Sequence, residues 1–209
     1  MMSEDAKIAK KNVSLSNMDI IQAIEIFALV TGIAYLVLEI LQKNAMWVVG
    51  IFTDIACIYS FAIQHSWGMM ALNVYYLAMC FIGLWHWRKD GAAVGEDAIH
   101  IRPLPRKTAL WSAVLFVFGS LAAIALLRAL GDQASALDAS ATVLSVIATW
   151  WLAVSYLQQW LLWIVADVMT TLLCILSGQY WLALLYAAYA VSAVYGYVHW
   201  KRKGILLPA

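Results

Sequence analysis

Apolar residues run along the chain in seven stretches of about twenty, each closed by a short polar or charged segment. A stretch of that length crosses the hydrocarbon core of a bilayer as one helix. The pattern predicts helices over 20–41, 46–63, 68–87, 109–130, 137–157, 159–176 and 181–200. Pro103, Pro105 and Pro208 all fall outside these stretches, so each reads as an unbroken helix rather than as barrel strands. The fold class is therefore all-α and polytopic.

The chain repeats itself at a constant offset of 113 residues. Trp47 matches Trp160, Asp54 matches Asp167, Tyr76 matches Tyr189, and Gly83, His86 and Trp87 match Gly196, His199 and Trp200. Both halves close on Gly-x-x-His-Trp followed by two basic residues. Four spans separate equivalent positions, so the repeats run parallel, a plan that in transporters places the substrate site near the midplane between halves. The organisation predicted is a polar segment 1–18, a first three-helix repeat 19–87, a basic loop 88–108, a linker helix 109–131, a second three-helix repeat 132–203 and a tail 204–209 (3+1+3).

Composition sharpens the membrane reading. Hydrophobic residues make up 65% of the 209 and charged residues 12%, against about half and a quarter in soluble domains. A net charge of +1 gives no footing for nucleic acid. Cys57, Cys80 and Cys174 stand singly in apolar stretches and read as packing residues, not as a disulfide or zinc framework. No cofactor or metal is expected. The basic clusters in Arg88–Lys107 and Lys201–Lys203 predict that both face the cytoplasm. Counting spans back puts the N-terminus outside, against the pull of Lys7, Lys10 and Lys11. Segment 1–18 holds no signal-peptide core, so the first span is expected to target the chain itself.

Candidate chemistry centres on Trp160, Trp163 and Asp167, at i, i+3 and i+7 on one helix face. An acid inside an apolar span costs about 3 kcal/mol on insertion scales and marks a functional position by default. Beside two indoles it suits a cationic or flat aromatic guest. Trp47, Gly50 and Asp54 form the equivalent face of the second helix, with Gly50 leaving room opposite Trp163. Asn73 and Tyr76, and Tyr186 and Tyr189, add hydrogen-bonding groups at i, i+3 spacing. The substrate-binding set predicted is Trp160, Trp163, Asp167, Asn73, Tyr76, Trp47, Asp54, Tyr186 and Tyr189. The blander alternatives are packing indoles, symmetric structural acids and tyrosines that glue helices together. His86 with Trp87 and His199 with Trp200 read as an interfacial belt. No phosphate-binding loop and no nucleophile–base pair is present, so neither ATP coupling nor an enzyme is predicted.

The run from Gln159 to Asp167, the stretch Asn73-Val74-Tyr75-Tyr76 and the two Gly-x-x-His-Trp endings resemble the Pnu vitamin transporters, which carry nicotinamide riboside or thiamine. The resemblance covers nearly all of residues 19–203. It implies a SWEET-like fold in a bacterial inner membrane, with facilitated diffusion of an unphosphorylated cationic B-vitamin. It implies trapping of the product by a cytoplasmic vitamin kinase, and Trp160 and Trp163 packed on the substrate ring. The family's nicotinamide riboside carriers have Asn where this chain has Asp167, and Gln where it has Asn73. An ionised Asp only accepts hydrogen bonds, which suits the amino group of thiamine better than a carboxamide. Thiamine is thus the expected substrate, nicotinamide riboside the alternative, and a ligand sensor that does not transport the second alternative. The chain is compatible with a homo-oligomer.

Overall fold

The computed structural model describes residues 4–95, 98–129 and 136–207. Its helices are α1 (Glu4–Ile40), α2 (Ala45–Ile63), α3 (Trp67–Val94), α4 (Arg106–Ala129), α5 (Ala136–Ala153), α6 (Gln159–Leu176) and α7 (Tyr180–Lys203). Each carries a stretch long and apolar enough to cross a membrane. Phe52, Trp111, Phe118 and Trp181 lie exposed on their helices. Such side chains are stable in that position because lipid tails are as apolar as they are.

Some boundaries differ from the sequence reading. The α1 backbone is helical from Glu4, inside the segment read as a polar lead, where neither Gly nor Pro interrupts it before Ile20. Residues 1–3, 130–135 and 208–209 lie outside the described residues, so the predicted end of the linker helix at 130–131, the start of the second repeat at 132 and the last of the tail are not placed. The segment 88–108 is not simply a loop. Helix α3 runs through it to Val94, ends at Gly95 with φ +111°, and a strand β1 (His100–Ile101) follows. This strand pairs in parallel with β2 (Ile205–Leu206) in the tail, His100 opposite Ile205 and Ile101 opposite Leu206. The extension of α3 carries Asp90 to Arg102, which grips it through Nη2 at 2.6 Å and Nε at 3.1 Å. A two-pronged contact of this kind holds a buried carboxylate well.

Four turns join the helices with one geometry. After α1, Gln42 N–H bonds Glu39 O and Lys43 N–H bonds Leu38 O. The same pair of bonds recurs at His65 and Ser66, at Ser155 and Tyr156, and at Gly178 and Gln179. The turning residues have φ +49°, +55°, +63° and +72° at Gln42, His65, Ser155 and Gly178. This is the left-handed Schellman stop of a helix. Gln42 and Ser155 are 113 apart, as are His65 and Gly178, so the repeat is also present in the backbone. Only one of the four is glycine, the residue that signals such a stop. Helix α5 accordingly ends at Ala153 and not at 157.

The described residues form two compact units, one within 4–38 and 43–81 and one within 39–42, 82–95, 98–129 and 136–207. In the first, Thr53 Oγ1 donates to Thr31 Oγ1 at 2.9 Å and ties α2 to α1. In the second, α4 packs on α5, α5 on α6 and α6 on α7, and Trp151 Nε1 donates to Ser112 Oγ across α5 and α4. Its densest point gathers the ends of both repeats. Trp87 Nε1 donates to Leu152 O at 3.2 Å and Trp200 Nε1 to Ile40 O at 3.0 Å. The two indoles meet edge to face at 6.0 Å. Gln42 brackets His100, donating to its carbonyl at 2.9 Å and accepting from its N–H at 2.6 Å, and reaches Ser155 Oγ at 3.5 Å. Trp87 and Trp200 are 1% and 0% exposed, so the interfacial-belt reading of these two tryptophans is corrected. They are core residues, while His86 and His199 lie half-buried against Trp85 and Tyr195.

His100 is buried, and the Ala98 backbone contributes a hydrogen bond to its ring. Burial lowers its pKa below the ordinary 6.5, opposed by Asp90, whose Oδ2 lies 4.0 Å from Nε2, and reinforced by Arg102. The folded chain therefore keeps the ring neutral where the unfolded chain takes up a proton. Stability attributable to His100 is constant above about pH 7 and is lost as pH falls through about 6.5. Melting in detergent between about pH 7.5 and about pH 5.5 is expected to fall more steeply for the native chain than for His100→Gln. Parallel curves would show that His100 does not titrate in this way.

Candidate functional site

The α6 face was expected to present two indoles and an acid together, and the structure separates their roles. Trp160 sits in the first turn of α6 and is 1% exposed. Its ring packs against α7 at Gly196, where an added Cβ would stand 2.5 to 2.7 Å from three ring carbons. Trp200 meets it edge to face at 5.4 Å and 89°. Trp160 is thus wedged into the same cluster as Trp87 and Trp200. Trp163, one turn on, is half-buried, and its Nε1 is buried without a partner among the described residues.

Asp167 is 8% exposed. Thr171 Oγ1 donates to its backbone carbonyl at 2.7 Å. The carboxylate lies within electrostatic reach of Tyr186 and Tyr189 on α7, which meet each other edge to face at 5.9 Å. The second unit therefore brings Asp167, Tyr186 and Tyr189 together, with Trp163 a turn along α6. It adds two groups the sequence reading passed over. Glu39, in the last turn of α1, is buried, lies within electrostatic reach of Asp167 and faces the side chain of Gln159. Glu39 carried a weaker signal than Asp167, an acid at the end of an apolar span rather than in its middle, and lacked a repeat mate. Gln159 carried no signal, because it stands next to Gln158 at a helix start that looks like a membrane boundary.

The first unit holds the equivalent residues in a different chemistry. Trp47 is fully buried. Cys80 Sγ donates to Asp54 Oδ2 at 3.5 Å. The space before Gly50, expected to be open to a guest, is filled, since an added Cβ would stand 2.7 Å from Cys80 Sγ and 3.2 Å from the Tyr35 ring. That expectation is corrected. Gly50 admits its own neighbours. Asn73 is buried and donates Nδ2 to Met69 O one turn back at 2.8 Å. Tyr76 is half-buried, its ring 5.6 Å from that of Tyr75.

An indole face, a carboxylate and two phenols in an apolar surrounding can hold a flat cation. The indole attracts it by roughly 0.5–2 kcal/mol, and the acid supplies the opposite charge that a buried cation needs. Tyrosine hydroxyls both donate and accept.

Comparison with known proteins gives this arrangement its setting. The family model described as nicotinamide mononucleotide transporter matches residues 22–202. The nicotinamide riboside transporter PnuC of Neisseria mucosa is 30% identical over 186 residues, 84% of this chain and 70% of that protein. PnuC of Haemophilus influenzae is 28% identical over 128 residues, 61% of this chain and 56% of that protein. PnuC of Escherichia coli is 26% identical over 203 residues, 85% and 84% of the two chains. A crystal structure of the vitamin B3 transporter PnuC aligns with a TM-score of 0.64 at 24% identity, covering 90% of each chain, which establishes the fold. These relatives are named as transporters, not as enzymes.

The fit of Trp160 on Gly196 is open to a direct test. Gly196→Ala forces a methyl into the ring and is expected to cost about 1–3 kcal/mol of stability. Gly68→Ala, where nothing lies within 4 Å, is expected to change stability by less than about 0.5 kcal/mol. Thermal unfolding of both variants in detergent measures the difference, and equal melting would deny the close contact.

Proposed function

The chain belongs to the nicotinamide mononucleotide transporter family, and from that premise we propose that it carries nicotinamide riboside across the membrane by facilitated diffusion. The observation that carries this reading is Asp167 beside Tyr186 and Tyr189, with Trp163 one turn away, in a chain whose relatives are named nicotinamide riboside transporters. The nicotinamide ring stacks on Trp163, and its cation is balanced by Asp167. The phosphorylated nucleotide in the family's description is disfavoured here. A phosphate would bring negative charge to a site that already holds Asp167 and Glu39, and like charges at close range reject a guest.

The substrate enters unphosphorylated, and a cytoplasmic kinase retains it by adding the phosphate that the carrier rejects. The protein lies in the inner membrane with Arg88 and Lys201–Lys203 on the cytoplasmic side, by the positive-inside rule. Thiamine is the second reading. It rests on Asp167, a pure acceptor matched to an aminopyrimidine amino group. The names of the relatives favour nicotinamide riboside over it.

Counterflow in proteoliposomes decides the matter. Labelled nicotinamide riboside is expected to exchange against unlabelled riboside without ATP or an ion gradient, and the mononucleotide is expected not to compete. Asp167→Leu, which removes both the charge and the acceptors, is expected to reduce exchange by about tenfold. Competition by thiamine with none by riboside would favour the second reading, and saturable binding without flux would favour a sensor.

A further inference from the structure

The segment 99–102 ties together the closing ends of four helices. Asp90 of α3 holds Arg102 on two prongs. Gln42, at the end of α1, brackets His100. Arg102 N–H donates to Ser155 O, in the turn after α5, at 3.0 Å. The fourth tie comes from the tail after α7. Ile205 N–H donates to Ile99 O at 2.7 Å, and Leu207 N–H donates to Ile101 O at 2.8 Å. The first three ties rest on Asp90, Gln42 and Ser155, all buried. The fourth lies at the surface. Ile205 and Leu206 are exposed, and of the three tail residues only Leu207 buries its side chain.

Strands of two residues fall far short of the usual length of about five or six. A chain end opens at little cost unless it is tied down. This one is tied by a close fit. Gly204 follows α7, and its N–H donates to Trp200 O at 2.8 Å. An added Cβ would stand 2.6 Å from Trp200 O and 2.9 Å from an Ile101 side-chain carbon. The φ of −72° at Gly204 suits any residue, so glycine is needed there for the approach alone. Beneath the tail, Trp200 anchors α7 against Trp87 and Trp160. The end of α7 therefore has a buried anchor and a weaker outer tie. In a carrier built of parallel repeats, one repeat rocks against the other. The outer tie joins the segment after the last helix of the first repeat to the tail after the last helix of the second. We propose that residues 204–207 are a latch, hooked on β1 in this state and released during transport so that the end of α7 can move. This rests on the transport reading given above, and it adds an element that controls the flux.

Ile101→Cys combined with Leu206→Cys locks the latch. The two residues are partners in the ladder, and neighbouring strands stand about 4.8 Å apart, within the span of a disulfide. Counterflow of labelled nicotinamide riboside is measured in proteoliposomes with the pair oxidised and then reduced. Each single variant controls for Cys57, Cys80 and Cys174, and thermal unfolding controls for the fold. Oxidation is expected to slow exchange by about tenfold or more with melting unchanged or raised, and reduction to restore it. Equal exchange in the two forms overturns the proposal, because a joint that never opens is not a latch. Hydrogen exchange of the tail supplies a reading that needs no substrate. The Ile205 and Leu207 amides of the native chain are expected to exchange at least about tenfold faster than those of 193–200 in α7, and faster still in Gly204→Ala. Where the cross-linked chain melts below the native one, these amides decide. If they are as slow as those of α7, or unmoved by Gly204→Ala, the latch is wrong; if they are fast and respond to Gly204→Ala, it is supported. If the native chain carries no riboside at all, the transport reading fails, and the tail amides still show whether the latch opens.

Discussion

Each repeat's closing tryptophan caps the other repeat's first helix, and the second unit is arranged around that exchange. Trp200 donates its indole N–H to Ile40 at the end of α1, and Trp87 donates to Leu152 at the end of α5. Helix C-termini leave carbonyls without intrahelical donors. In a span with little water beside it, such a carbonyl must find a donor within the protein. A left-handed stop at Gln42 and at Ser155 answers part of the need, and the crossed indoles answer more. The same two turns are then bound to each other through Gln42 and Ser155 and to the tail-side segment through His100 and Arg102. Trp160 enters this node from α6 and requires Gly196 to do so. The Gly-x-x-His-Trp endings are legible as parts of one device. In the second ending Gly196 admits an indole from α6, and in both the tryptophan caps a helix.

The two acids related by the repeat have been put to different uses. Asp54 has a thiol donor in Cys80, and the cleft beside Gly50 is closed by Cys80 and Tyr35. Asp167 instead lies within electrostatic reach of two phenols and of a second carboxylate. A satisfied acid in a filled cleft has little left to offer a guest. The sequence symmetry of the halves thus coexists with different surroundings for its two acids.

Asp90 and Arg102 show how a segment rich in charge becomes structure. By composition it reads as a solvated loop. Once Asp90 is paired on two prongs and buried, the helix bearing it continues and the strand following it finds β2. The gain comes from residues twelve apart that have no helical or strand periodicity in common, so no local pattern announces it.

The sequence alone determined the seven spans, the repeat at 113 residues and the placement of Trp163 and Asp167 along one helix. Those features follow from partition into lipid and from helical periodicity, which are properties of consecutive residues. Tertiary structure decided which indoles are buried. It buried Trp160 on Gly196 and turned Trp87 and Trp200 inward, because three rings from three helices fill one space. It also decided the turns at Gln42, His65 and Ser155, where hydrogen bonding holds a left-handed residue that carries no glycine signal. And it brought Glu39 to Gln159 and Asp167 across 120 residues and more of chain, since the partner of a buried charge is set by packing and not by spacing along the sequence.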